Sequence, residues 1–502
     1  MDKKKSVILF LPRATKALKE WMPIIEALPQ HHCMPIVAIE WSCPQEWLDR
    51  LDKLGVSYVP LDSTLLPSSQ LLKDSQISPE TIARSASTPK KMKLFPAMRQ
   101  WGINKIPKQL KQHVIRGIES TIKNLPLQAK YFYQTLLAYR QLSETHSHIF
   151  KQIQPDVIIT VSDVGIHRSA PIKVACQLGI PSLLVPLYYL IPEREARWMQ
   201  TQPGFVEHFS LTPLWNRLAA RLIPGSVAHA DDVPVLHYPG GEALALKLLG
   251  IAPLNPWFPG SGLSTKVAVE SKREYSRLLS AGIPKQKIAL TGKARTDILY
   301  QRMQIDRQER AVYLGINPIK SVILLAPPHL AEHRLLDWPE HWKAIDDLIA
   351  SLTSLDNVVI ILTLYPGSCK EDYQAIADKH GALIPEPNDF FTLMPLCDIY
   401  VANTTSSTIV QAIACHKPAI AIDLDVSWNL SECCYDPLEG VIVVRDKHKL
   451  RPTLEHLLTD RAAYGKLVRF QREAAPDWAV VDGKCTERIV EQIKSLADMK
   501  IS

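Results

Sequence analysis

Asn403 to Thr408 reads Asn-Thr-Thr-Ser-Ser-Thr, five hydroxyls and a carboxamide in six consecutive residues with apolar sequence on both sides. Asp398 to Ala402 predicts a strand. The hydroxyl run leads into a helix through Ala414, His416-Lys417-Pro418 breaks that helix, and Ala419 to Ile422 predicts a second strand. Such a β-loop-α-β unit gathers hydroxyls and unpaired backbone N–H groups at a helix N-terminus, where the positive end of the dipole favours an anion. One capping hydroxyl satisfies a helix start. Thr404, Thr405, Ser406, Ser407 and Thr408, with Gln411 one turn further on, exceed that need and suit a phosphate or pyrophosphate.

Other residues of useful type stand at element ends. His329 follows the apolar run Val322 to Ala326, Tyr365 and Pro366 end the next such run, and Glu386-Pro387-Asn388 precedes LMPLCD. Gly292 and Lys293 lie on a turn, where a glycine admits a diphosphate to the backbone and a lysine neutralises it. Asp163 ends the run PDVIITVSD, and His167 follows about one helical turn later. A carboxylate with an imidazole is a pair that takes a proton from a hydroxyl, although Asp163 reads equally as a helix N-cap. Arg13 ends the first apolar run and suits a phosphate or an acceptor. His229, Asp231 and Asp232 are the nearest approach to a metal set, but adjacent acids on a loop make a poor one. No metal and no cofactor is expected.

The elements that must position these residues alternate. Ser6 to Leu11, Pro35 to Glu40 and Tyr58 to Leu61 read as strands separated by helices. The rhythm breaks from Ser63 to about Phe150, then resumes through Asp163, Ser182 to Pro186 and STKVAVE. A charged stretch from Gln301 to Arg310 reads as a hinge, after which KSVILLAPPH and NVVIILTLYPG restart the pattern. The fold class is α/β with parallel sheets.

With 502 residues the chain holds two or three domains, and its 46% hydrophobic and 22% charged composition is that of a globular protein. No apolar run approaches the roughly 20 residues of a bilayer span. The basic start leads into a short apolar run that reads as a strand and not a signal peptide, so a cytoplasmic location is expected. Nine cysteines without metal-ligand spacing read as buried reduced thiols. The net charge of +7 is concentrated, with eleven Lys or Arg and one acid between Lys90 and Arg140, interleaved with aromatic residues. That segment suits an anionic membrane surface or an anionic acceptor, and equally a solvated helical insertion; no nucleic-acid motif supports it as a nucleic-acid site.

In order, PDVIITVSDVG, KVAVESKREYSRLLSAGIPKQKIALTG, ILLAPPH and PNDFFTLMPLCDIYVANTTSSTIVQAIACHKPAIAID resemble the nucleotide-sugar enzymes of the GT-B fold. The pattern is nearest to the non-hydrolysing UDP-N-acetylglucosamine 2-epimerases and to polysaccharide-type glycosyltransferases, including glycerophosphate transferases of wall polymers. The resemblance covers roughly residues 150 to 190 and 265 to 500. It implies two facing Rossmann-like domains. Residues 1–310 would form the acceptor domain, with a basic helical insertion at 63–150. Residues 311–475 would form the nucleotide-sugar domain, and 476–502 a C-terminal helix that crosses back onto the first.

It also implies a nucleotide site built from Gly292, Lys293, His329, Tyr365, Pro366, Glu386, Asn388, Thr404 to Thr408 and Gln411. Catalysis would fall to Asp163 with His167, and acceptor contact to Arg13. The epimerases carry an acidic loop and paired glutamates where this chain has Asn403 to Ser406, Gln411 and Ala412. They carry a His-x-Glu where it has Val185, Pro186 and Leu187. The absence of those acid and base groups favours a metal-independent, inverting glycosyltransferase acting on a surface polysaccharide or glycolipid. The alternatives are a 2-epimerase and a non-catalytic nucleotide-sugar binder.

Overall fold

The computed structural model describes residues 5–12, 15–40, 43–61, 125–187, 191–332, 336–365, 368–404, 406–422 and 439–501. Arg13, Thr405, Pro366 and most of the 63–150 insertion lie outside the described residues. The chain divides into two compact units. One contains Met1–Val269, Ser276–Ala289 and Ile489–Ser502; the other contains Glu270–Tyr275 and Leu290–Arg488. The helices Arg295–Met303 and Arg307–Tyr313 fall in the second unit, so the charged stretch read as a hinge joins two helices of one body.

The strands of the first unit are β1 (Ser6–Leu11), β2 (Cys33–Glu40), β3 (Ser57–Leu61), β4 (Val157–Thr160), β5 (Ser182–Leu184), the pair β6 (Val227–Ala230) and β7 (Val233–Leu236), then β8 (Lys266–Val269) and β9 (Ile288–Leu290). Seven of them make one sheet in the order β3-β2-β1-β4-β5-β8-β9, while β6 and β7 form a separate antiparallel pair. Asp231 and Asp232, weighed above as metal ligands, are the two turn residues of that hairpin. Both have positive φ, 48° and 62°, as a tight two-residue turn requires.

The second unit contains β10 (Ser321–Ala326), β11 (Val358–Leu362), β12 (Ile399–Asn403), β13 (Ala419–Ile422) and β14 (Val441–Val444). They form a sheet in the order β11-β10-β12-β13-β14, parallel throughout. Its strands are apolar runs buried on both faces, as parallel sheets require. Ile323, Leu325, Val401 and Ile420 pack into one core, and Val322, Leu324, Tyr400 and Ala421 into the other, following the two-residue period of a strand.

Each sheet locks its two central strands with the same device. Asp156, just before β4, donates its backbone N–H to Val7 O (2.8 Å) and accepts the Val7 N–H on its carboxylate (2.8 Å). Asp398, just before β12, does the same with Val322 (2.9 and 2.7 Å), and its carboxylate also holds Arg307 at 2.6 Å. These clamps fix the registers of β1 against β4 and of β10 against β12. Asp398→Ala removes one clamp and leaves Arg307 without its acid, so equilibrium unfolding in denaturant should show a loss of about 2–3 kcal/mol.

Among the described residues, two glutamates are buried, both on helices. Burial pushes Glu242 up from 4.5 to about 7; burial, followed by the neighbouring charge of Glu270, pushes Glu274 up to about 8. The unfolded chain releases both protons near the ordinary 4.5, so from there to about pH 8 the folded state binds more protons than the unfolded one. Stability should therefore fall as pH rises through that window, by on the order of a few kcal/mol. In chemical denaturation from pH 5 to 8, Glu274→Gln should show a clearly shallower decline than the parent protein.

Candidate functional site

An open parallel sheet binds ligands beyond the carboxyl ends of its strands, where the strand order reverses. In the second unit that point lies between β10 and β12, since the chain moves from β10 to β11 on one side and then to β12 on the other. His329 follows β10 and the hydroxyl loop follows β12, so two segments 74 residues apart end at the same place. Tyr365, beyond β11, meets His329 with ring centroids 4.8 Å apart.

Behind His329 stands a short polar chain. Its Nδ1 is 3.6 Å from Glu332 Oε1, Glu332 Oε2 is 4.0 Å from His341 Nε2, and the Tyr373 hydroxyl is 3.5 Å from the same nitrogen. Burial, the largest single influence, raises the Glu332 pKa, but His329, its own backbone and His341 together outweigh it and hold the carboxyl below its ordinary range. Burial lowers His341. The arrangement orients an imidazole on a rigid strand end, which suits contact with phosphate or sugar.

The hydroxyl loop is more ordered and less open than its composition suggests. Asn403 and Thr404 are buried, and Thr404 N–H donates to Ile422 O (3.0 Å). Ser406 N–H donates to Asn403 O (2.8 Å), and Ser406 Oγ lies 2.6 Å from Thr408 Oγ1, which also pairs with the Tyr400 hydroxyl. Part of the apparent surplus is thus an internal chain of hydroxyls; each still has lone pairs or a proton to offer. Ser407 is exposed, and Gln411 Oε1 is buried without a hydrogen-bond partner among the described residues.

Four other expected contacts are engaged within the protein. Asn388 clips the end of β11: its Oδ1 accepts Leu364 N–H (2.8 Å) and its Nδ2 donates to Leu362 O (2.7 Å), which positions the turn carrying Tyr365. Glu386 is exposed and pairs with Lys370. Gly292 has φ of 77°, and a Cβ there would run into Cys485 Sγ, so close packing of the C-terminal helix accounts for the glycine. Lys293 meets Glu270 at 2.7 Å.

In the first unit the strand order reverses between β1 and β4, and Asp163 stands just beyond β4. Its carboxylate is fully buried and already occupied. It accepts from Gly260 N–H (2.8 Å), Gly262 N–H (2.9 Å), Ser264 N–H (3.4 Å) and Ser264 Oγ (2.7 Å), with Lys287 at 3.8 Å. Such a carboxylate builds a loop and is ill placed to receive a proton. It is not an N-cap either, for Gly165 precedes the helix Ile166–Gln177. His167 lies half-buried on the first turn of that helix.

His237, just past β7, was not singled out in the sequence. Its ring sits edge-on between Tyr238 and Trp257, each at a centroid distance of 4.6 Å, and Tyr238 OH accepts from Gly165 N–H (2.9 Å). Burial, reinforced by the charge of Arg168, pushes its pKa down to about 3, so the imidazole is neutral at physiological pH. Neither His237 Nδ1 nor Trp257 Nε1 has a hydrogen-bond partner among the described residues. No sequence motif marks this site; the aromatic clamp is assembled by tertiary packing.

Among the described residues, Asp297, Asp482 and Cys485 form a group whose ligand-type atoms lie within 4.8 Å of one another. Their bonds are internal: Asp297 accepts from Cys485 and Thr486 N–H at the start of the C-terminal helix, and Asp482 pairs with Arg488.

No protein-family model matches the chain, and no curated protein matches it in sequence. Solved structures do match in fold. The wall teichoic acid polymerase TagF is similar with a TM-score of 0.51 at 12% identity, over 100% of this chain and 91% of that one. CalG4, the calicheamicin glycosyltransferase, gives 0.50 at 11% identity over 99% of each chain. A Listeria monocytogenes protein assigned as a UDP-N-acetylglucosamine 2-epimerase gives 0.50 at 12% identity, over 98% of this chain and 96% of that one. The chain therefore has the GT-B fold that glycosyltransferases and nucleotide-sugar epimerases share.

Proposed function

We propose that this protein is a glycosyltransferase that moves a sugar from a nucleotide donor to a polysaccharide or glycolipid acceptor, with inversion and without a metal ion. The observation that carries the reading is the convergence of His329 and the Asn403–Thr408 loop at the strand-order reversal of the second unit. Donor phosphates would meet the hydroxyls, Gln411 and the backbone N–H groups there, while Tyr365 flanks the base or ribose. Protein donors of this kind stabilise a departing nucleotide through preorganised dipoles.

Transfer also needs a base for the acceptor hydroxyl. With Asp163 engaged by its loop, the base falls to His167, half-buried on the first turn of the helix that follows β4, since His237, pushed down to about 3 by burial, binds a proton too weakly to take one from a hydroxyl. A glycosyltransferase is preferred to an epimerase because the loop at Asn403 to Ser406 and the positions Gln411 and Ala412 supply no carboxylate to move a proton on the donor sugar. The acceptor would be held by the first unit, with Arg13 and the basic 90–140 segment as its contacts.

A thermal-shift series over nucleoside mono- and diphosphates tests the donor site. A pyrimidine nucleotide at about a hundredfold excess over its Kd should stabilise the protein by about 2.7 kcal/mol. The shift should shrink in His329→Ala and in Thr405→Ala with Ser406→Ala, and should persist in the presence of a chelator. Incubation with UDP-N-acetylglucosamine without acceptor should yield no epimer. A flat response to every nucleotide sinks the reading, and epimer formation transfers it to the isomerases.

A further inference from the structure

The helix Leu214–Leu222 of the first unit, LWNRLAARL, is fixed by one side and exposes apolar residues on the other. Asn216 is fully buried; its Oδ1 accepts Gly240 N–H (2.8 Å) and its Nδ2 donates to His208 O (3.0 Å) and Ser210 O (2.7 Å). Ala219 and the adjoining Ile223 join Leu246 and Ile251 in a core. With that side pinned, the helix cannot turn its outer face inward.

On the outer face Leu214, Leu218 and Leu222 are 70%, 46% and 45% exposed. Their spacing of four residues sets them in a row about 12 Å long. Arg217 and Arg221, both exposed, run beside the row at matching intervals. Leu254, 75% exposed, lies on a loop whose backbone abuts Gly225 just past the helix. No Asp or Glu occurs from Phe209 to Ala230, nor from Ala243 to Val269.

A contiguous exposed apolar row on a pinned helix marks an interaction surface, and the charge around it selects the partner. Guanidinium groups beside leucines, with no acid in the same segments, complement lipid phosphates above acyl chains. A second copy of this chain fits worse, because a two-fold contact through this helix sets Arg217 and Arg221 against their own equivalents.

We propose that the Leu214–Leu222 helix docks on an anionic phospholipid bilayer, its leucines entering the acyl boundary and Arg217 and Arg221 pairing with lipid phosphates. The proposal does not depend on the nucleotide-sugar reading.

Cosedimentation of the full chain with vesicles provides the test. Binding to equal parts phosphatidylglycerol and phosphatidylcholine should exceed binding to phosphatidylcholine alone by on the order of tenfold, and should weaken with added salt. Leu214→Gln with Leu218→Gln and Leu222→Gln should abolish binding while leaving the melting temperature unchanged, since the replaced side chains are exposed. Arg217→Glu with Arg221→Glu should remove the preference for the anionic lipid. Undiminished vesicle binding by the leucine variant would overturn the proposal. So would a melting temperature several degrees lower in that variant, showing the row covered by another part of the chain, or a dimer in sedimentation velocity that the variant dissolves.

Discussion

Two aspartates fix where each sheet can hold a ligand. Asp156 and Asp398 each make a reciprocal pair of hydrogen bonds with the first residues of the neighbouring central strand, Val7 and Val322. In both units the clamped strands flank the reversal of strand order, β1 with β4 and β10 with β12. Register is therefore set at the amino end of the strand pair, and the loops at the carboxyl end follow from it. A one-residue slip in β10 or β12 would turn core residues outward and move His329 relative to the hydroxyl loop.

The two carboxyl ends carry different chemistry. In the second unit a histidine oriented by Glu332, a tyrosine and a network of hydroxyls offer donors and dipoles to an anion. In the first unit the corresponding carboxylate, Asp163, organises the Gly260–Ser264 loop, and the imidazole of His237 is held neutral between the rings of Tyr238 and Trp257.

Local pattern made much of this legible in the sequence. β1 and β13 fall where the apolar runs place them, and His329 and Tyr365 were identified from their positions at strand ends. What could not be read depends on residues distant in sequence. Asp163 is occupied by donors about a hundred residues away, and Asn388 reaches back to β11 across 24 and 26 residues. Asp231-Asp232 was set aside as a metal set, yet its own role went unread, although two turn-forming residues between short apolar runs are a hairpin signal. The hydroxyl loop shows the same limit, since its count of oxygens was visible but their pairing through Tyr400 was not.

A nucleotide site in the second unit can be tested by photoaffinity labelling with an azido-substituted uridine nucleotide, followed by peptide mapping. Label is expected in the peptides carrying Pro327 to Glu332 and Asn403 to Gln411, suppressed by excess unmodified nucleotide. Label confined to the first unit, or label that unmodified nucleotide does not displace, would contradict it.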